Sequence, residues 1–222
     1  MILALLITVP LVWWYATKFL PWAEDRPELV EIPDPLFRYF PRFDASWPIN
    51  ILHYVAIGTF VCHLISSFGQ TPNDDDVSRF LWAYSCVILY RTLVLYLHPF
   101  RVHHEVVPLV DTILMTIIHR DEPGKNLLND LSFSGHTSLY GLFALIHPSF
   151  MWFYFVVGIL VSFFMCCGRI HYSADLLIGP VFSFASYHSS FHLETMIAGL
   201  AAILKTIASS YDQMEPDSIF FN

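Results

Sequence analysis

Lysine is nearly missing from this chain: Lys18, Lys125 and Lys205 are the only three in 222 residues, and the formal net charge is -8. A partner that presents backbone phosphates in series demands a dense basic surface, so nucleic acid is excluded. Charge of either sign is scarce as well, at 14% of residues, which is too little for an ordinary soluble surface. Cysteine is sparse and badly spaced for chemistry. Cys62, Cys86, Cys166 and Cys167 all fall inside apolar runs, where a thiol behaves as a small hydrophobe, and they match neither a zinc site nor a disulfide framework. The amino-terminal stretch MILALLITVPLVWWYATKFL has no basic leader and no clear small-residue cleavage site, so it reads as a retained first helix. Internal repeats and low-complexity segments are lacking.

What is present is apolar: 55% hydrophobic residues, 17% aromatic, and a mean hydropathy of +0.54. These values describe a polytopic membrane protein. The reading is an all-α fold in one membrane domain over residues 1–222, with six transmembrane helices and an interfacial helix before span 4. The spans are expected at residues 2–20, 49–68, 79–97, 132–147, 149–167 and 174–188. Pro10 is expected to kink the first. Residues 21–48 mix proline with charge and read as a loop, and 69–78 make a polar turn. Residues 103–119 are apolar, too short to span and broken by Pro108 and Asp111, which suits an interfacial or re-entrant helix. Residues 189–222 form a tail, with 193–208 able to lie on the surface as a helix.

Counting spans alternates the faces. The loop at 21–48, the end of span 3 and the regions of His136 and His171 share one face; both termini and the turn at 147–149 share the other. Arg91, His98, Arg101, His136, Arg169, His171 and Asp175 are gathered by that topology. Arg91 is the anomaly of span 3, because an arginine at mid-helix costs roughly 2.5 to 3.5 kcal/mol on insertion scales. Either it snorkels to the interface or it faces a wet cavity or an anion.

His171 and Asp175 are spaced i, i+4, so on a helix the carboxylate reaches a ring nitrogen and fixes the tautomer. The free nitrogen is then a nucleophile or base, and His136 across the site is the complementary acid. With arginines nearby, the fitting electrophile is a phosphoryl group. Two histidines and an aspartate beside several arginines make a poor cation site, so no metal is expected, nor any cofactor.

Phe133-Ser134-Gly135-His136-Thr137 and His171-Tyr172-Ser173-Ala174-Asp175 resemble the two catalytic motifs of the sphingomyelin synthase family, within the wider type 2 phosphatidic acid phosphatase superfamily. Pro33-Asp34-Pro35-Leu36-Phe37 leading to Phe40-Pro41-Arg42 is similar to that family's first-loop motif, and Tyr90-Arg91 leading to Leu97-His98-Pro99 to the motif closing its third span. The four lie in the family's order across residues 27–188. The resemblance implies transfer of a phospho-head-group (phosphocholine, phosphoethanolamine or phosphoinositol) from a glycerophospholipid to ceramide, with diacylglycerol released. It implies that His171 attacks phosphorus and carries it as a phosphohistidine, that Asp175 orients His171, and that His136 protonates the leaving oxygen and then deprotonates ceramide. Arg91, Arg169, Ser134 and Gly135 are the expected phosphate contacts.

The chain departs from the pattern in places. Leu128-Asn129 stands where family members usually have Cys-Gly, and Arg169 adds a cation two residues before His171 that either binds phosphate or anchors span 5. Met165 replaces the upstream arginine of the lipid phosphatases, although Arg91-x6-His98-Pro99 echoes their first motif and leaves hydrolysis open. His188, His192 and Glu194 are expected in ordinary hydrogen bonds, Asp74 to Asp76 at a helix start, and His53 and His63 packed against neighbouring helices. Lys18, Arg26, Arg38, Arg42, Arg91, Arg101, Arg120, Lys125 and Arg169 fall on the site's face, against Arg79 and Lys205 opposite. Loop charge therefore points to the cytosol. The resemblance points to a lumenal or exoplasmic site in the Golgi, endoplasmic reticulum or plasma membrane.

Overall fold

The computed structural model describes residues 1–24, 26, 30–31, 33–67, 76–97, 100–101 and 133–212. The predicted interfacial helix at 103–119 lies outside them, as do His98, Asp74, Asp75, Arg120 and Lys125.

Seven α-helices carry the described fold: α1 (Ile2–Trp14), α2 (Leu20–Glu24), α3 (Ser46–Ser67), α4 (Asp76–Leu97), α5 (Gly135–Ile146), α6 (Met151–Gly168) and α7 (Ser173–Asp212). A two-residue parallel bridge pairs β1 (Val30–Glu31) with β2 (Phe100–Arg101). Five helical segments are long and apolar enough to cross a membrane: Ile2–Ala23, Ser46–Ser67, Asp76–Leu97, Pro148–Gly168 and Ser173–Ile207. Outward-facing Leu6, Trp13, Ile65, Leu93 and Trp152 are exposed, as side chains meant for lipid tails must be.

The expected span missing from these five is the fourth, which is α5 and has only 12 residues. At 1.5 Å per residue that is about 18 Å, well short of a bilayer core of about 30 Å. Its lower end meets the far face, where His147 stacks on His63 of α3 at 3.7 Å between ring centroids. His63 in turn holds Asp76, the first residue of α4, at 3.1 Å. Burial, with the neighbouring His63, holds the His147 imidazole below its ordinary range against an opposing pull from Asp76. Since α5 is short and its foot is pinned there, its head must lie inside the bundle.

Pro10 sits within α1, and a π-helical turn at Tyr15–Phe19 joins α1 to α2. The tail is not a separate helix: α7, 40 residues long in all, runs past the expected end at 188 to Asp212. Residues 189–192 (Ser-Ser-Phe-His) contain no helix breaker, and α4 grips this stretch. Tyr90 and Ser189 hydroxyls lie 2.8 Å apart, Arg79 pairs with Glu194 at 3.1 Å, and its guanidinium stands 3.7 Å from the Phe191 ring centroid.

The core lies between α3, α5 and α6, where Phe60 stacks on Phe143 at 4.1 Å over buried Tyr154, Val157 and Val161. Against α7 the contact is closer and polar. Ser138 donates to the Gly179 carbonyl at 3.1 Å and Ser183 to the Ser138 carbonyl at 2.6 Å. A Cβ on Gly179 would overlap the Thr137 hydroxyl, so only glycine lets the two backbones approach. At the entry to α3, Asp44 accepts the Ser46 N–H at 2.9 Å; the Ser46 hydroxyl and N–H together hold its carboxyl below the usual range. A cap of this kind is typically worth about 1 kcal/mol.

Candidate active site

The heads of α5 and α7 meet. Ser134, the N-cap of α5, donates its backbone N–H to the Asp175 carbonyl in the first turn of α7 at 3.1 Å. Its hydroxyl accepts the Thr137 N–H and faces the Met165 sulfur at 3.7 Å. Ser134 is fully buried. These bonds make it the tie between the two motifs.

His171 lies two residues before α7 begins, and its Nδ1 stands 3.7 Å from Oδ2 of Asp175 in the first turn of that helix, so the two residues of the anticipated i, i+4 spacing meet although only Asp175 is helical. Both atoms are buried, and among the described residues neither has a hydrogen-bond partner. The distance is that of an ion pair, and a small rotation of the imidazole would close it to a hydrogen bond. With Nδ1 turned to the carboxylate, Nε2 is the nitrogen left for chemistry.

His136 opens α5, one residue after the helix begins. It lies within electrostatic reach of His171, Arg91 and His53. His53 is the residue whose site role the sequence did not disclose. It packs against a neighbouring helix as expected, but that helix is α5: its Nδ1 is 2.9 Å from the Tyr140 hydroxyl, and its ring centroid is 4.7 Å from that of His136. His136 and Tyr140 are themselves i, i+4 on α5, so one buried histidine of α3 bridges both. His53 is seven residues into α3, which puts the site about 10 Å below that helix's start at 1.5 Å per residue.

Arg91 reaches the same depth from α4. It is 5% exposed and does not snorkel. Its Nε donates to the Tyr15 hydroxyl at 3.1 Å, and Nη1 donates to the Phe133 carbonyl at the turn into α5. Tyr15 begins the π-helical turn, which aims its ring inward; irregular turns of this type recur at functional sites. Space is tight here: a Cβ on Gly135 would lie 3.1 Å from Arg91 Nη1 and 3.4 Å from Cζ, so the guanidinium would have to give by a few tenths of an ångström. A guanidinium, the start of α5 and the start of α7 thus surround one buried point. Both helix starts contribute partial positive charge and first-turn N–H groups.

Arg169 is the C-cap of α6 and the one non-glycine among the described residues with positive φ, at φ 55° and ψ 31°. The chain turns there with the Ile170 N–H on the Met165 carbonyl at 3.1 Å and the Arg169 N–H on the Cys166 carbonyl at 3.2 Å. Its guanidinium lies 5.7 Å from the Phe37 ring centroid. Glycine takes this backbone without strain, whereas another L-residue pays about 1 to 2 kcal/mol. Arg169→Gly should therefore leave thermal stability level or raised by up to about 1 kcal/mol, the lost contact with Phe37 offsetting part of the relief. A fall in melting temperature would instead make Arg169 an anchor for the end of α6.

Glu194 is occupied by Arg79, and His188 packs against the rings of Phe184 and Tyr187. Arg26 caps the end of α4, donating to the Leu95 and Tyr96 carbonyls at 2.6 and 3.2 Å, so it is not a free loop cation. Comparison of the chain with protein-family models, with curated proteins and with solved structures yields no match to any of them.

Proposed function

We propose that this protein is a membrane phosphotransferase of the sphingomyelin synthase type, moving a phospho-head-group from a glycerophospholipid to ceramide. The observation that carries the reading is the tie between Ser134 and Asp175, which brings the histidine at the head of α5 and the His171 and Asp175 pair at the head of α7 to one buried point beside Arg91. The four ordered motifs that resemble the family support it independently.

In the first displacement His171 Nε2 attacks phosphorus. The bond from phosphorus to the diacylglycerol oxygen breaks, and His136 gives that oxygen its proton, so diacylglycerol leaves and the head-group phosphoryl stays on His171. Asp175 stabilises the cationic ring. In the second, the ceramide primary hydroxyl attacks phosphorus, His136 takes its proton, and the bond from phosphorus to nitrogen breaks. Arg91, the two helix starts and the Gly135 N–H stabilise charge on the non-bridging oxygens in both steps. No step calls for a metal or cofactor. A site sunk about 10 Å below the start of α3 suits lipid donors whose phosphate enters from the interface while their tails remain among the helices.

We assign the site to the lumenal or exoplasmic side of a Golgi, endoplasmic reticulum or plasma membrane. The loop-charge argument for the cytosol loses weight because Arg91 is inside the bundle and Arg26 caps a helix. Purified protein in liposomes, given labelled ceramide with phosphatidylcholine, phosphatidylethanolamine, phosphatidylinositol or phosphatidic acid in turn, tests the reading. A new phospho-ceramide from one donor is expected. Release of phosphate from phosphatidic acid with ceramide untouched would replace it with a lipid phosphatase. No turnover with any donor would replace it with a non-catalytic lipid-binding protein.

A further inference from the structure

The reading above leaves the first-loop motif without a role. Its Asp34 lies 139 residues from Ser173 in sequence and is bound to it twice. Oδ2 accepts the Ser173 N–H at 2.6 Å, and Oδ1 accepts the Ser173 hydroxyl at 3.1 Å. Oδ1 also accepts the Leu36 N–H at 2.9 Å, which turns the loop back on itself.

Ser173 is the first residue of α7. A helix start needs an acceptor for its first N–H groups, ordinarily supplied by the residue just before. Here that residue is Tyr172, whose ring has no acceptor in reach of its own helix start. The cap comes from the first loop instead. Tyr172 is used differently: its ring lies parallel to that of Phe37, with centroids 6.3 Å apart and 7° between the planes. Phe37 is 5% exposed, and its ring is also the one faced by the Arg169 guanidinium. Phe43 completes the seam, donating its N–H to the Cys167 carbonyl at 3.4 Å. The loop therefore grips residues 167, 169, 172 and 173, on both sides of His171.

We propose that Asp34, with Phe37 beneath Tyr172, is a positioning residue for the nucleophile: it sets the start of α7, and so the bearing of His171 on Asp175 and on the phosphorus. The inference rests on the phosphotransferase reading. Both carboxylate oxygens are taken up by donors of the loop and of α7, and a carboxylate aimed at substrate would repel its phosphate. The role is thus one of alignment and not of substrate contact. Alignment acts on the chemical step, so it predicts a loss in kcat with KM for each lipid nearly unchanged.

The test uses the full-length protein in liposomes, with Asp34→Ala and Asp34→Asn beside wild type. Folded fraction is checked by size exclusion, and amide exchange is followed over residues 169–176. Asp34→Ala should lower kcat about 10- to 100-fold, the cost of an ångström-scale misplacement, with KM within about threefold. The label trapped on histidine in a single turnover should appear more slowly by the same factor, and exchange at the head of α7 should rise. Asparagine can keep the Ser173 N–H on its one oxygen and donate its amide to the Ser173 hydroxyl, losing only the Leu36 bond, so Asp34→Asn should recover most of the lost kcat, to within about tenfold of wild type. Equal loss in the two variants, a loss confined to KM, or an Asp34→Ala enzyme with wild-type kcat would overturn the proposal. Should wild type itself turn over no donor, the phosphotransferase reading falls and the catalytic role of Asp34 falls with it; unchanged exchange in Asp34→Ala would then show that the clamp is absent too.

Discussion

His171→Ala is expected to reduce head-group transfer by about 10⁴-fold or more, the scale seen when a nucleophile is removed from a cooperating set. The loss should be in kcat, and no label should be trapped on histidine. Asp175→Asn keeps the shape of the pair but not its charge, so the wrong tautomer competes, and a loss of about 10²- to 10⁴-fold is expected. In the proposed mechanism His136 has a separable role. Its proton is needed by a poor leaving group such as a diacylglycerol alkoxide and far less by a nitrophenolate. A nitrophenyl ester of the head-group phosphate should therefore restore the first displacement in His136→Ala, as a burst of nitrophenolate equal to the enzyme present, and leave His171→Ala silent. If both variants respond alike to the activated donor, the assignment of nucleophile to one ring and acid to the other is wrong.

Gly135→Ala should lower turnover about 10- to 100-fold while the protein remains folded. Alanine is the better helix former by about 1 kcal/mol, so α5 itself loses nothing. The cost falls on Arg91, whose Nη1 would stand 3.1 Å from the new methyl group and whose bond to the Phe133 carbonyl would be pushed aside. Arg91→Lys should cost more, about 10³-fold, because a single ammonium cannot serve Tyr15, the Phe133 carbonyl and a phosphoryl oxygen together. Wild-type kcat in Gly135→Ala, measured at saturating lipid with the folded fraction matched, would mean that the guanidinium is a structural brace and not part of the chemistry.

The pair His171 and Asp175 was legible as a four-residue spacing, but α7 begins only at Ser173, so the turn at residues 171–172, which the sequence did not disclose, carries His171 to the carboxylate. The gathering of His136 and Arg91 on that face was legible from alternation of apolar runs, since a chain that cannot leave a polar backbone in lipid must run from side to side. The same reasoning could not see His53. A histidine inside an apolar run looks alike whether it faces lipid, a packed helix or a site, and only the docking of α3 on α5 set its ring 4.7 Å from His136. Tyr15 was hidden for a related reason: its inward aim depends on the π-helical turn, which shifts the register of side chains behind Pro10.

By itself the sequence determined an all-helical chain with helices apolar enough for a membrane. That follows from transfer free energies and helical spacing, which are local properties. The tertiary structure decided the shortness of α5 and its contact with α3 at His147; the burial of Arg91, through its bonds to Tyr15 and the Phe133 carbonyl; and the use of a distant loop aspartate to start α7. Each of those depends on which surfaces meet. Close packing settles that over the whole chain at once, and no window of sequence contains it.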